Sequence, residues 1–143
     1  MIMLPTLFLT TRTHSDELTA FMEQRIREIC EATAKMCGGE SKVTVTKLLP
    51  YVINHPVMTA GLWTAAAAAL GEASIHEGVR SMGGEDFAFL SRVKPCAMFR
   101  LGVGDTTPLH STTFCPNEGC FDAGLAVFTQ FVLDNQDGID FEE

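Results

Sequence analysis

At 143 residues, with 46% apolar and 20% charged side chains, the chain has the size and balance of one ordinary folded domain, which excludes a disordered, collagen-like or repeat-built protein. A formal net charge of −8 would repel a phosphate backbone and excludes nucleic acid as a partner. The five cysteines, Cys30, Cys37, Cys96, Cys115 and Cys120, cannot all pair and show no disulfide-framework spacing, so a reducing, cytoplasmic setting is expected.

The opening Met1-Ile2-Met3-Leu4 has no cationic lead and no small-residue cleavage site, and does not read as a secretion signal. The aromatic and β-branched content of Leu7-Phe8-Leu9-Thr10-Thr11-Arg12-Thr13 predicts a strand. Ser15 then offers a helix N-cap, with Asp16 and Glu17 in the first turn, where a carboxylate meets the positive helix end. Leu18, Phe21, Met22, Ile26, Ile29, Cys30 and Met36 recur at helical spacing on one face, and Gly38-Gly39 ends the pattern. Val43 and Val45 alternate with Thr44 and Thr46, which predicts a second strand and so a strand-helix-strand unit.

A break at Asn54-His55-Pro56 marks a boundary near residue 54. Pro56 begins a helix that runs through Leu70 to a stop at Gly71. Leu48 to Gly71 carries no charge, but Pro50, Asn54, His55 and Pro56 interrupt it, so no membrane span is expected. A glycine turn follows at Gly83-Gly84, then a short helix from Glu85 to about Arg92, with Glu85 and Asp86 read as a capping pair. A buried strand is expected at Ala97-Met98-Phe99-Arg100-Leu101, a loop around His110, and a last helix over about Asp122–Leu133 with Leu125, Phe128, Phe131 and Val132 facing inward. From about Asp134 the chain is acidic. Gly138 there superficially suggests a calcium loop, but the first ligand would fall on Leu133 and the last beyond the sequence, and Glu142-Glu143 reads as a charged end. The expected class is mixed α/β, with helices packed on a sheet edge in the second part.

Two stretches carry chemistry together: Ser81-Met82-Gly83-Gly84-Glu85-Asp86-Phe87-Ala88-Phe89-Leu90 and, further on, Pro108-Leu109-His110-Ser111. Their pairing resembles the C-terminal end of the M20 metallopeptidases of the aminoacylase and carboxypeptidase type, within them the hippurate hydrolase and auxin-conjugate hydrolase branch. The resemblance implies that residues 1–53 are the second half of a lid or dimerisation domain. It implies that residues 54–143 are the C-terminal segment of a metallopeptidase-like α/β catalytic domain. Asn54-His55-Pro56 resembles the family's Asn-Asp-Pro, with histidine in place of aspartate. Thr10-Thr11-Arg12-Thr13 resembles its Gly-Thr-x-Arg, with threonine in place of glycine.

By this resemblance His110 is the last ligand of a site for divalent metal, zinc or else manganese or cobalt, that activates a water and polarises an amide carbonyl. Arg12 would pair with the carboxylate of an N-acyl amino acid, and Gly83 and Gly84 would let backbone approach that carboxylate. The plain alternatives are a loop histidine bonded to a backbone carbonyl, an exposed strand arginine and an ordinary tight turn. The family's His-x-Cys-Gly-His-Asp cluster and its paired Glu-Glu, general base and metal ligand, have no counterpart in the sequence. One imidazole cannot hold zinc tightly where catalytic sites use about three protein ligands. The expectation is therefore a hydrolase fragment, inactive by itself and binding no metal tightly alone, that forms a homodimer or joins a complementary N-terminal half. The rival expectations are a non-catalytic self-association module and a small zinc protein built on His110, Cys115 and Cys120 with Cys96 nearby.

Overall fold

Ser15 fixes the start of the first helix in the computed structural model, which describes residues 5–78 and 80–141. The reading of Met1–Leu4 as no signal and of Glu142–Glu143 as a charged end lies outside the described residues. The Ser15 backbone is extended, and its hydroxyl accepts from Leu18 N at 3.0 Å. Helix α1, Asp16–Met36, follows with Asp16 and Glu17 in its first turn. It ends in a Schellman motif: Gly38, at φ 73, donates to Lys35 O at 3.0 Å and Gly39 to Ala34 O at 2.8 Å. A side chain at Gly38 would be forced into the left-handed region, which explains the glycine there.

No α1 residue is buried. Met22, Ile26 and Cys30 are half-buried, whereas Leu18, Phe21, Ile29 and Met36 are exposed. The helix relies on local devices: its caps, the Arg25–Glu28 ion pair, Arg27–Glu23 at 2.8 Å and Lys35–Glu31 at 2.7 Å. Arg27 Nη1 also donates to Val43 O at 2.8 Å, which ties the helix to the segment after it.

Helix α2 covers Pro56–Leu70, with Pro56 at its start, where the missing amide costs nothing, and Gly71, at φ 82, at its stop. A single 3₁₀ turn, Glu72–Ser74, follows. Helix α3 is Phe87–Ser91, shorter than the expected Glu85–Arg92; Glu85 Oε1 accepts from Phe87 N at 3.4 Å ahead of it. Helix α4 runs Gly119–Asp134, longer than the predicted Asp122–Leu133, because Asn117 starts it early by accepting from Gly119 N at 2.9 Å.

The chain forms two compact units, Met1–Val52 with Ser81–Phe89, and Ile53–Arg80 with Leu90–Glu143. The core of the second lies between α2 and α4. Ala65 is fully buried, Val127 is 2% exposed, and Cys120 and Gly124 are buried beside them. The helices approach at a small residue: a Cβ on Gly61 of α2 would lie 3.1 Å from the Phe131 ring of α4, while one on Gly124 would lie 3.1 Å from Leu101 Cδ2 of the extended segment before the loop. The inward stripe of α4 is thus Cys120, Gly124, Val127 and Phe131. The prediction of Leu125, Phe128 and Val132 as inward is corrected, since all three are exposed.

The expected α/β class is also corrected. No β-strand occurs among the described residues, and the predicted strands at residues 7–13, 43–46 and 97–101 are irregular or extended backbone. A strand exists only through backbone hydrogen bonds to a neighbouring strand, and among the described residues these segments have no backbone partner. Leu7 and Phe8, 84% and 91% exposed, have no surface on which to pack. Ala97–Phe99 is half-buried and comes nearest to pairing. There His55 N donates to Cys96 O at 2.8 Å, while the Asn54 side chain accepts from Met98 N at 2.9 Å and donates to Met98 O at 3.1 Å. Asn54 is a side-chain substitute for a strand partner.

No helix among the described residues is long and apolar enough to cross a membrane.

Candidate functional site

In the first unit, Arg12, Gly83 and Gly84 come together. A Cβ on Gly84 would lie 3.0 Å from Arg12 Nη1 and 2.8 Å from Leu49 Cδ1, so the guanidinium rests against backbone that only glycine leaves open. Arg12 is exposed and forms no ion pair or hydrogen bond among the described residues. Gly83 N is already engaged, donating to Ser81 Oγ at 3.1 Å. The Gly84 amide has no such partner among the described residues and is the free donor of the turn. A free guanidinium beside a free backbone amide, with Leu49 as an apolar wall, suits a carboxylate attached to an apolar group. Leu49 carried no signal in the sequence; it is one more apolar residue before Pro50.

In the second unit, His110 stands in the β-turn Pro108–Ser111, closed by Ser111 N donating to Pro108 O at 3.1 Å. At φ 68 it is a positive-φ residue other than glycine, a conformation that costs energy and is held by its surroundings. The loop is clamped at its base: Thr106 Oγ1 donates to Cys115 O at 2.9 Å and accepts from Cys115 N at 3.3 Å. The imidazole is exposed and bonds to nothing among the described residues, so the plain reading of a histidine bonded to a backbone carbonyl does not hold.

His55 escaped the sequence reading as a site. Its backbone caps α2, yet the side chain makes no capping bond, and its buried Nδ1 has no hydrogen-bond partner. The ring meets Phe141 edge-on at 5.3 Å and borders an open groove of about 250 Å³ with Ile53, Ser91, Lys94 and Cys96.

No group of three His, Cys, Asp or Glu side chains that could hold a metal ion exists among the described residues. His110, Cys96, Cys115 and Cys120 do not converge into a zinc site. Cys120 is buried in α4 and Cys115 exposed, and all five cysteines are free thiols. The described donor set therefore does not fit the metal centre that the resemblance implies for the parent enzyme, and no step of chemistry follows through such a centre here.

The model of Peptidase family M20/M25/M40 matches residues 30–134. This chain belongs to that family. The M20 assignment carries with it a hydrolase class that is metal-dependent as a whole. Among similar proteins, an N-acetyldiaminopimelate deacetylase of Pediococcus pentosaceus is 35% identical over 127 residues, covering 86% of this chain and 32% of the relative. An uncharacterized hydrolase, y4tI, of Sinorhizobium fredii is 33% identical over 112 residues, covering 76% and 28%. An N-acetyldiaminopimelate deacetylase of Limosilactobacillus fermentum is 31% identical over 125 residues, covering 86% and 32%. The chain thus spans about a third of the length of the curated M20 relatives it matches. No solved structure matches it.

Proposed function

We propose that the chain is the carboxylate-binding, C-terminal portion of an M20 amidohydrolase that cleaves the amide of an N-acyl amino acid, with N-acetyl amino acids the leading class. The observation that carries this reading is the unpaired Arg12 guanidinium against Gly84 with a free backbone amide beside it. The relatives' printed activity, deacetylation of N-acetyldiaminopimelate, supports an acetylated, carboxylate-bearing substrate.

The roles divide by chemistry. Arg12 and the Gly84 amide hold and orient the substrate carboxylate, and Leu49 limits water on one side of it. His110, exposed in a strained and clamped turn, is the donor this chain offers to a divalent metal, with the remaining ligands and the general-base glutamate supplied from outside the described residues. The chain alone is inactive on this reading, because the described residues hold no group of three side chains that could bind the metal. Residues 1–53 would then be lid, and residues 54–143 catalytic-domain segment, of a cytoplasmic enzyme. The open stripe of Leu18, Phe21, Ile29 and Met36 on α1 supports self-association through the lid part.

The test is a nuclear magnetic resonance titration of the labelled chain with N-acetyl amino acids. The reading expects the Gly84 amide resonance to shift with millimolar N-acetyl amino acid, not with the matching amide that lacks a carboxylate, and to stop shifting in Arg12→Ala. Equal shifts with both compounds, or shifts that persist in the variant, would remove the carboxylate site.

A further inference from the structure

His110 is the single non-glycine residue with a positive φ among the described residues, and it stands third in the turn Pro108–Ser111. A φ of 68 there, with Leu109 before it not positive, is the geometry of a type II turn, which glycine adopts freely and a side chain does not. The imidazole recovers none of that cost locally, since it is exposed and makes no hydrogen bond among the described residues. A side chain kept in such a conformation is held there by its surroundings, and the outlier points to what the side chain does.

Burial does not hold it: Pro108 and His110 are exposed and Leu109 is 71% exposed. What holds it is a stem of nested hydrogen bonds beneath the turn. At the base, Asn117 N donates to Val103 O at 2.8 Å. Next, Thr106 Oγ1 donates to Cys115 O at 2.9 Å and accepts from Cys115 N at 3.3 Å. Closer to the tip, Thr113 Oγ1 donates to Thr107 Oγ1 at 3.4 Å and meets Ser111 Oγ at 2.9 Å, while Thr113 N donates to Ser111 Oγ at 3.3 Å. Residues 103 and 117, 106 and 115, 107 and 113, and 108 and 111 thus close in hairpin order, with side-chain hydroxyls where a hairpin uses backbone.

Thr106 is the decisive rung. It is half-buried, and its one hydroxyl satisfies both backbone groups of Cys115, as the backbone of a strand neighbour would. Valine copies its shape but leaves both groups unpaired, whereas serine keeps the hydroxyl.

We propose that Thr106 is a positioning residue: its two bonds to the Cys115 backbone keep the loop closed, so that His110 holds its left-handed conformation and presents its imidazole already placed for the hydrolysis proposed above. Thr107, Ser111 and Thr113 complete the same device. The proposal rests on the reading of the chain as a portion of an M20 amidohydrolase and goes beyond it in naming what places the histidine.

The experiment has two arms. In the labelled chain, the three-bond coupling between the amide and Hα protons of His110, which follows φ, is expected to change in Thr106→Val and to return in Thr106→Ser. In a hybrid in which this chain replaces the matched segment of the Pediococcus pentosaceus deacetylase, Thr106→Val is expected to lower kcat for N-acetyl amino acids by about ten- to a hundredfold with KM little changed, and Thr106→Ser to restore it. A residue that only supports the fold would move the melting temperature without this split or this rescue. Thr113→Ala, at an exposed position, is expected to act in the same direction and decides the matter where Thr106→Val does not fold. A coupling or a kcat indifferent to these variants, or a kcat lowered equally by valine and serine, would overturn the proposal, while hydrolysis by the unaltered hybrid would leave the functional reading standing. A folded, unaltered hybrid that hydrolyses no N-acetyl amino acid would sink both together.

Discussion

Gly84 and Asn54 show how much rests on single residues. A methyl group on Gly84 would press on Leu49 Cδ1 and Arg12 Nη1, both at the far ends of flexible side chains that can swing aside. Gly84→Ala should therefore cost less than about 1 kcal/mol in chemical denaturation, while weakening carboxylate binding because the guanidinium is pushed off the turn. A large stability loss with unchanged binding would contradict this. Asn54 is the reverse case. Its side chain makes two bonds to the Met98 backbone, so Asn54→Leu leaves a half-buried donor and acceptor unpaired and should cost about 1–3 kcal/mol; an unchanged denaturation midpoint would count against that pairing. The Arg12–Gly84 approach could be named from the sequence only through family resemblance, since the two residues are far apart in the chain and neither has a local pattern. The orphaned Nδ1 of His55 left no trace in the sequence, because it depends on what buries it.

Most helix ends are readable in residues that act locally, the start of α4 at Asn117 being the exception. Ser15, the Gly38-Gly39 pair, Pro56 and Gly71 each satisfy or terminate backbone hydrogen bonding within a few residues, and each sits where its chemistry predicts. The inward face of α4 was not readable. Large apolar residues are the expected core, but α2 meets α4 at Gly61, which faces the Phe131 ring, and at the buried Ala65, while Gly124 admits Leu101 and Leu125 and Val132 stay outside. The strands failed for a related reason: β-branched alternation describes a surface that fits a sheet, and a sheet requires a neighbour.

Helix α1, with no buried residue, is the element most open to solution conditions. Ser15→Ala should cost about 1 kcal/mol of helix stability by freeing the Leu18 amide. Its Glu23, Glu28 and Glu31 carboxyls are held below their ordinary value of 4.5, first by hydrogen bonds from Arg27, Gln24 and Lys35 respectively. For carboxyls lowered in the folded state, the stabilisation is present above the unfolded value and is lost as pH falls through the folded one. Helical ellipticity should thus hold above about pH 4.5 and decline below it in low salt. Because the pairs lie at the surface and are largely open to solvent, added salt should flatten the change. An acid response identical in low and high salt would contradict the ion-pair account.

At the scale of the whole molecule, the chain belongs to the M20 family and spans about a third of the length of its relatives, so the hydrolysis proposed above is that of a whole M20 enzyme. On the proposed reading, the chain contributes a place for the substrate carboxylate at Arg12 and Gly84 and a metal-capable imidazole at His110. The most direct measurement joins both to the rest of the family's chemistry: the matched segment of the Pediococcus pentosaceus deacetylase is replaced by this chain, and hydrolysis of N-acetyl amino acids is followed in the folded, metal-loaded hybrid. The account predicts hydrolysis, with Arg12→Ala raising KM by about ten- to a hundredfold and leaving kcat less affected, as loss of a charged hydrogen bond to a bound carboxylate should. A folded hybrid that hydrolyses N-acetyl amino acids equally well with and without Arg12 would contradict it.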